Sequence, residues 1–303
     1  MPIQLEIDKL LLGVNPFVGI DHFSNERARE RSDAMNESRI LGVMKAAFES
    51  GAEGLTFAGD SIIENTFKLM AESGYEFTHG LYPLVPNTRA YVDVIGERGI
   101  IGLANSVLSN MSAAGKTKTI LGGGLSFLTG NPVRVMKSLL DVEVSNITAM
   151  MPKSGVIRSV FLHEIATDLA LALGSREVLE TYAHHILDSY GFAPGFVTRN
   201  FPKFVDFCRD CDLDLSDVVI MTPFNGVGFQ MTPSREECER TLKETSNPNV
   251  IAMSVFAAGQ QSLEQAFEYI SSLKGIRSVV VGASTQIHAR ETFSRFSQHW
   301  KSD

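Results

Sequence analysis

Eight short apolar runs punctuate the chain. They are LLLGVNPF (10–17), EGLTFAG (53–59), YEFTHGLYP (75–83), RSVFLHE (158–164), GFVTRNF (195–201), DVVIMTPFN (217–225), NVIAMSVFA (249–257) and RSVVVGAS (277–284). Most are too short for helices and apolar on both faces, the pattern of parallel strands buried on both sides. Helical periodicity fills the gaps. SRILGVMKAAFESG (38–51) predicts a helix capped at Ser38 and stopped at Gly51; SLEQAFEYISSLKG (262–275) predicts one with a Ser262 cap, a capping box through Gln265 and a stop at Gly275. Strands each followed by helical sequence predict an α/β fold of the (β/α)8 TIM-barrel type. A doubly wound open sheet would carry a Gly-rich turn after its first strand, and LLGVNPFVG lacks one.

On this reading residues 1–303 form a single TIM-barrel domain with an insertion at about 99–155 between strands three and four. That stretch holds extra strand-like pieces, GIIGLANS and SNITAMMP, and the Gly-rich LGGGLSFLTGNP. It reads either as a cover for the barrel mouth, flexible at Gly122-Gly123-Gly124, or as containing a true barrel strand. DHFSNERARERSDAMNES (21–38) is a second long excursion near the same mouth.

Composition narrows the class. Hydrophobic residues make up 44% and charged residues 20%, enough apolar material for a large core. A net charge of -8 without a basic cluster argues against nucleic acid. No window reaches the length of a membrane span, and MPIQLEIDKLLLG does not read as a signal peptide. Three cysteines, Cys208, Cys211 and Cys238, are too few for a disulfide framework. The expectation is a soluble cytoplasmic protein with a small-molecule partner; its oligomeric state is not legible.

In such a barrel, chemistry sits at the C-terminal ends of the strands. That rule selects Asn15, Thr56, Asp60, His79, Tyr82, His163, Glu164, Thr198, Asn200, Thr222, Asn225, Ser254 and Ser284. These residues are polar and mostly neutral, suited to a carbonyl, an amide or a phosphate more than to a hard metal ion, so no metal site is expected. His163 and Glu164 form the leading acid–base pair. Adjacent strand residues point to opposite faces, so both reach the mouth only if the strand has already ended. His79 reads as a second mouth histidine or as one packed in the wall. His184-His185 reads as a half-buried helix pair, and Cys208 with Cys211 as core residues on one helix face. In the closing turn, Gly282 admits a close ligand, Ser284 and Thr285 supply hydroxyls, and a helix start offers free N–H groups to an anion. Arg290 and His288 are the nearby basic side chains.

NVIAMSVFAAG followed by SLEQAFEYISSLKGIRSVVVGASTQIHARET resembles the last two barrel units of the aldo-keto reductase superfamily. GFVTRNF and VVIMTPFN are similar to its Gly-Val-Ser-Asn-Phe turn and Gln-x-Pro-Tyr-Asn strand. The likeness covers roughly 155–293, with weaker echoes upstream. It implies a TIM barrel reducing a small carbonyl compound, or oxidising an alcohol, with NADP(H). It also implies cofactor contacts at Thr198, Asn200, Ser254, Gly282, Ser284, Arg290 and Glu291. Met221 stands where the family has its amide-binding glutamine, and Thr292 replaces an asparagine. Of the family's Asp, Tyr, Lys and His, His163 alone is matched. The aspartate position reads Thr56, the tyrosine position falls near Ser61, and the lysine position reads His79. Three readings stay open: such an oxidoreductase with a histidine acid; a non-redox isomerase, lyase or hydrolase acting on a small, phosphorylated substrate through His163, His79 and Glu164; or a binding module without activity.

Overall fold

The computed structural model describes residues 5–18, 36–87, 132–211, 213–246 and 248–300. All strands are parallel. Strand β1 (Leu10–Gly13) pairs on one side with β2 (Gly54–Ala58) and on the other with β9 (Ile276–Gly282). From β2 the ladder runs through β3 (Gly80–Val85), then the two pieces β4 (Val156–Ile157) and β5 (Ser159–Leu162), which together make the fourth stave. It continues through β6 (Ala193–Val197), β7 (Val219–Pro223) and β8 (Val250–Met253) back to β9. The result is a closed eight-stave (β/α)8 barrel, as the alternating pattern predicts.

Helices clothe it: α1 (Glu37–Glu49), α2 (Ser61–Glu72), α3 (Pro132–Met150), α4 (Glu164–Leu173), α5 (Arg176–Tyr190), α6 (Phe201–Asp210), α7 (Arg235–Glu244), α8 (Leu263–Ser272) and α9 (Gln286–His299). The α8 capping box between Ser262 and Gln265 is present. The α1 cap is Asn36 rather than Ser38, its side chain accepting from the Arg39 N–H, which leaves Ser38 inside the first turn.

Strand alternation sorts the side chains into two apolar layers. Leu10, Leu12, Leu55, Phe57, Val160, Leu162, Val279 and Val281 point outward and pack with the helices. Leu11, Tyr82, Phe161, Val197, Met221 and Ile251 point inward and fill the barrel.

Other expectations change as well. The third strand starts at Gly80, five residues later than the apolar run suggests. Phe77, 1% exposed, instead packs in the connector against Phe48 and Phe67. SNITAMMP is not strand-like: residues 145–150 close helix α3. GIIGLANS and LGGGLSFLTGNP lie outside the described residues, apart from Pro132, where α3 begins. Cys208 is buried but Cys211 ends α6 in an extended conformation, so the two do not share a core face. Burial raises the Cys208 thiol to about 12 and Cys211 to about 11, so neither is a reactive thiolate.

The N-terminal end of the barrel is plugged. The Tyr82 hydroxyl accepts from the Asp8 N–H at 2.7 Å and donates to Asp8 Oδ2 at 2.8 Å. Burial raises the Asp8 carboxyl, with Tyr82 and Arg158 pulling it back down. Tyr82, a mouth candidate by sequence, therefore points its hydroxyl to the opposite end. This face serves stability rather than chemistry.

Candidate functional site

The C-terminal ends of the staves open into a cavity of about 440 Å³. His163 and Glu164 line it, with Asn15, Thr56, Asp60, Asn87, Gln230, Ser254 and Gly282. Strand β5 ends at Leu162, so both members of the predicted pair reach the cavity. His163 continues the inward parity of Ser159 and Phe161. It is also the N-cap of α4: its Nδ1 accepts from the Ile165 N–H at 3.2 Å. A neutral ring with Nδ1 so engaged carries its proton on Nε2. Burial lowers the His163 pKa; the Glu164 carboxylate raises it and the Arg199 guanidinium lowers it, both less than burial does. The ring is therefore neutral near pH 7.

A polar brace stands behind this pair. Arg199 forms an ion pair with Glu164. Asp168 of α4 accepts from the Thr198 hydroxyl and, at 3.1 Å, from the Arg199 N–H. Burial raises the Asp168 carboxyl. Arg199 and Asp168 escaped the sequence reading, because their roles depend on α4 packing against the β6–α6 turn.

His79 does not join the site. It precedes β3, and its outward parity stacks the ring on Phe48 at 4.0 Å between centroids. It is level with the start of the fourth stave and His163 with its end, about 20 Å apart along the strands. The expected pairing of His79 with His163 is not formed; inward parity near the rim of β3 falls to Leu84 instead.

The residues aligned with cofactor contacts divide. Thr198 is fully buried, its hydroxyl spent on Asp168 and on the Asn200 N–H at 3.0 Å. Asn200 caps α6, its Oδ1 accepting from the Lys203 N–H at 3.2 Å. Neither lines the cavity, whereas Met221 does. Ser254 lines it in the left-handed region at φ 54°, its Oγ 3.4 Å from Gln230 Oε1. Ala257 at φ 47° and Ala258 at φ 55° follow it, and Gln230 sits at φ 60°. Four non-glycine residues held this way mark a strained wall of the mouth, and such strain concentrates at binding sites. No glycine or asparagine announces it in the sequence.

Gly282 lines the cavity, but a Cβ there would lie 2.8 Å from Pro16 Cγ, so this close packing requires glycine without any anion. Ser284 is half-buried before Thr285, whose hydroxyl caps α9 by accepting from the His288 N–H at 3.2 Å. Arg290 pairs with Glu49 of α1 at 3.0 Å, both about half exposed, and Glu291 is exposed on α9. Among the described residues, no Lys or Arg lines the cavity and no cluster of His, Cys, Asp and Glu is arranged to hold a metal ion. Nor is any described helix long and apolar enough to cross a membrane.

No family model matches the chain, and no curated protein matches its sequence. Solved structures match its fold. A Pseudomonas aeruginosa protein assigned to the aldo-keto reductases aligns with TM-score 0.57 and 13% identity, over 97% of this chain and 92% of its own. An aldo-keto reductase from a Medee basin deep-sea metagenome library aligns with TM-score 0.50 and 13% identity, over 98% of this chain and 88% of its own. A protein assigned as a 2,5-diketo-D-gluconic acid reductase B gives TM-score 0.50 and 12% identity, over 96% and 83%. The chain thus shares the (β/α)8 barrel fold of these proteins at low sequence identity.

Proposed function

We propose that this barrel is an oxidoreductase that interconverts a small carbonyl compound and its alcohol with a nicotinamide cofactor at the mouth cavity. The observation that carries the reading is His163: inward-facing, neutral, and fixed by the Ile165 N–H in the tautomer that carries Nε2–H. Such a ring donates to a carbonyl oxygen and polarises it, as neutral imidazoles do elsewhere. The proton completing the alcohol passes through Nε2, which is then reprotonated from solvent. The mainly apolar cavity favours a small organic substrate. Glu164 is held beside the ring by Arg199, and Asp168 fixes the turn that carries Arg199.

The residues fit a dinucleotide through backbone geometry. Ser254, Ala257 and Ala258 take left-handed conformations within one short turn, and the backbone N–H groups of such turns are suited to a diphosphate. When bound, the cofactor supplies the hydride. Met221 offers no amide clamp, so the nicotinamide end would be held by shape and apolar contact. A second phosphate, as in NADP, would recruit Arg290. Its exposed pair with Glu49 is worth about 0–1 kcal/mol, so redirecting the side chain costs little. Arg290→Ala is therefore expected to weaken NADPH binding about 5-fold while leaving NADH binding unchanged, as measured by titration calorimetry. Equal loss for both cofactors would remove Arg290 from the site.

The function itself is tested by screening short aliphatic and aromatic aldehydes for oxidation of NADH and NADPH. The reading expects turnover by the wild type; none with either cofactor would contradict it. An acid–base reaction shared by two histidines is disfavoured, because His79 lies at the other end of the wall.

A further inference from the structure

The floor of the cavity holds a hydroxyl that the fold does not use. Leu84, Val197, Met221, Met253 and Val280 face inward there and are all apolar. Thr56 of β2 joins them, 6% exposed, and its Oγ1 has no hydrogen-bond partner among the described residues. Its register neighbours offer none: Gly13 has no side chain, and the Tyr82 hydroxyl is turned away to Asp8. Thr222 and Ser278 also carry buried hydroxyls without partners, but neither lines the cavity. Valine would fill the same space without an orphaned polar atom, so the fold alone gives no reason for threonine.

We infer that Thr56 is a specificity residue that hydrogen-bonds a polar group on the buried end of the substrate. This rests on the proposed carbonyl chemistry. His163 stands two staves away and, by the strand registers, four residues nearer the rim, so the backbones are roughly 15 Å apart. A substrate spanning them places its carbonyl at His163 and a hydroxyl, ether or second carbonyl oxygen on Thr56. The class is a small, uncharged carbonyl compound with a hydrogen-bonding group at the far end, such as an aromatic ring substituted at opposite positions. A site built around a hydrogen bond rejects the analogue lacking it far more strongly than an apolar pocket rejects a missing methylene.

The test compares the wild type, Thr56→Val and Thr56→Ser on para-hydroxybenzaldehyde and benzaldehyde with NADH. Thermal shifts induced by the two corresponding benzyl alcohols are read alongside. The wild type and Thr56→Ser should favour the hydroxylated aldehyde by about 10-fold or more in kcat/KM. Thr56→Val should lose that preference while melting at or above the wild-type temperature. An unchanged preference in Thr56→Val, or a much lower melting temperature, would overturn the inference. If neither aldehyde reacts but para-hydroxybenzyl alcohol stabilises the wild type and not Thr56→Val, the contact stands and the carbonyl chemistry falls. If neither alcohol stabilises the wild type, the contact falls as well.

Discussion

Replacing His163 with asparagine should reduce turnover by about 100-fold or more while leaving the barrel as stable as wild type at neutral pH. The two effects separate because His163 has two jobs. As N-cap of α4 it satisfies the Ile165 N–H, and asparagine is among the best capping residues. As the inward imidazole it donates from Nε2, which asparagine cannot reproduce in position or polarity. Alanine would lose the cap as well, at about 1 kcal/mol, so low activity in that variant would be harder to interpret. The pH dependence sharpens the distinction. Burial holds the folded-state pKa below the ordinary 6.5, so the unfolded chain takes up the proton first as pH falls. Stability from this group is full above about pH 6.5 and is lost as pH falls through the lowered value. Activity should fall over the same window, because protonating Nδ1 destroys its acceptor role toward Ile165. His163→Asn should melt with a flatter pH profile below 6.5, retaining the part due to His79, whose pKa burial also lowers. Parallel profiles for the two proteins would show that His163 does not titrate as described.

Gly80→Ala should be among the most damaging single-methyl additions. A Cβ there would lie 1.7 Å from Asp8 Oδ2 and 2.9 Å from Asp8 Cγ. The Asp8 side chain must turn away, which leaves the Tyr82 hydroxyl without the carboxylate it donates to. Overpacking and an unsatisfied buried hydroxyl together cost about 3 kcal/mol, a drop of roughly 6–12 °C for a chain of this size. Turnover at low temperature should survive, since the plug lies at the opposite end from the cavity. Combining it with Asp8→Ala should cost less than the two separate losses added, because the clash disappears. A melting temperature within a degree of wild type for Gly80→Ala would mean that Asp8 does not occupy the plug.

The barrel was legible because staves buried on both faces leave continuous apolar runs, and those runs survive divergence. The third stave was misplaced for a related reason. YEFTH is apolar enough to read as strand, yet Phe77 and His79 fill the space beside Phe48 rather than a sheet. That error of a few residues moved His79 from the bottom of the wall to the mouth and suggested a histidine pair that the fold separates. His163 was legible because an apolar run ends on it. Its capping role, the Glu164–Arg199 brace and the left-handed residues from Gln230 to Ala258 were not, since each depends on contacts between distant elements. The closing turn shows the converse. Its glycine reads as an anion cradle, whereas contact with Pro16 is sufficient to require it.

The most direct test of the central claim is isotopic. The protein is incubated with para-hydroxybenzaldehyde and a reduced nicotinamide cofactor deuterated at its transferable position, and the product is examined by mass spectrometry. Hydride transfer at the mouth cavity predicts an alcohol carrying one deuterium from the wild type and almost none from His163→Asn. Alcohol without deuterium, no alcohol at all, or equal labelled product from both proteins would contradict it.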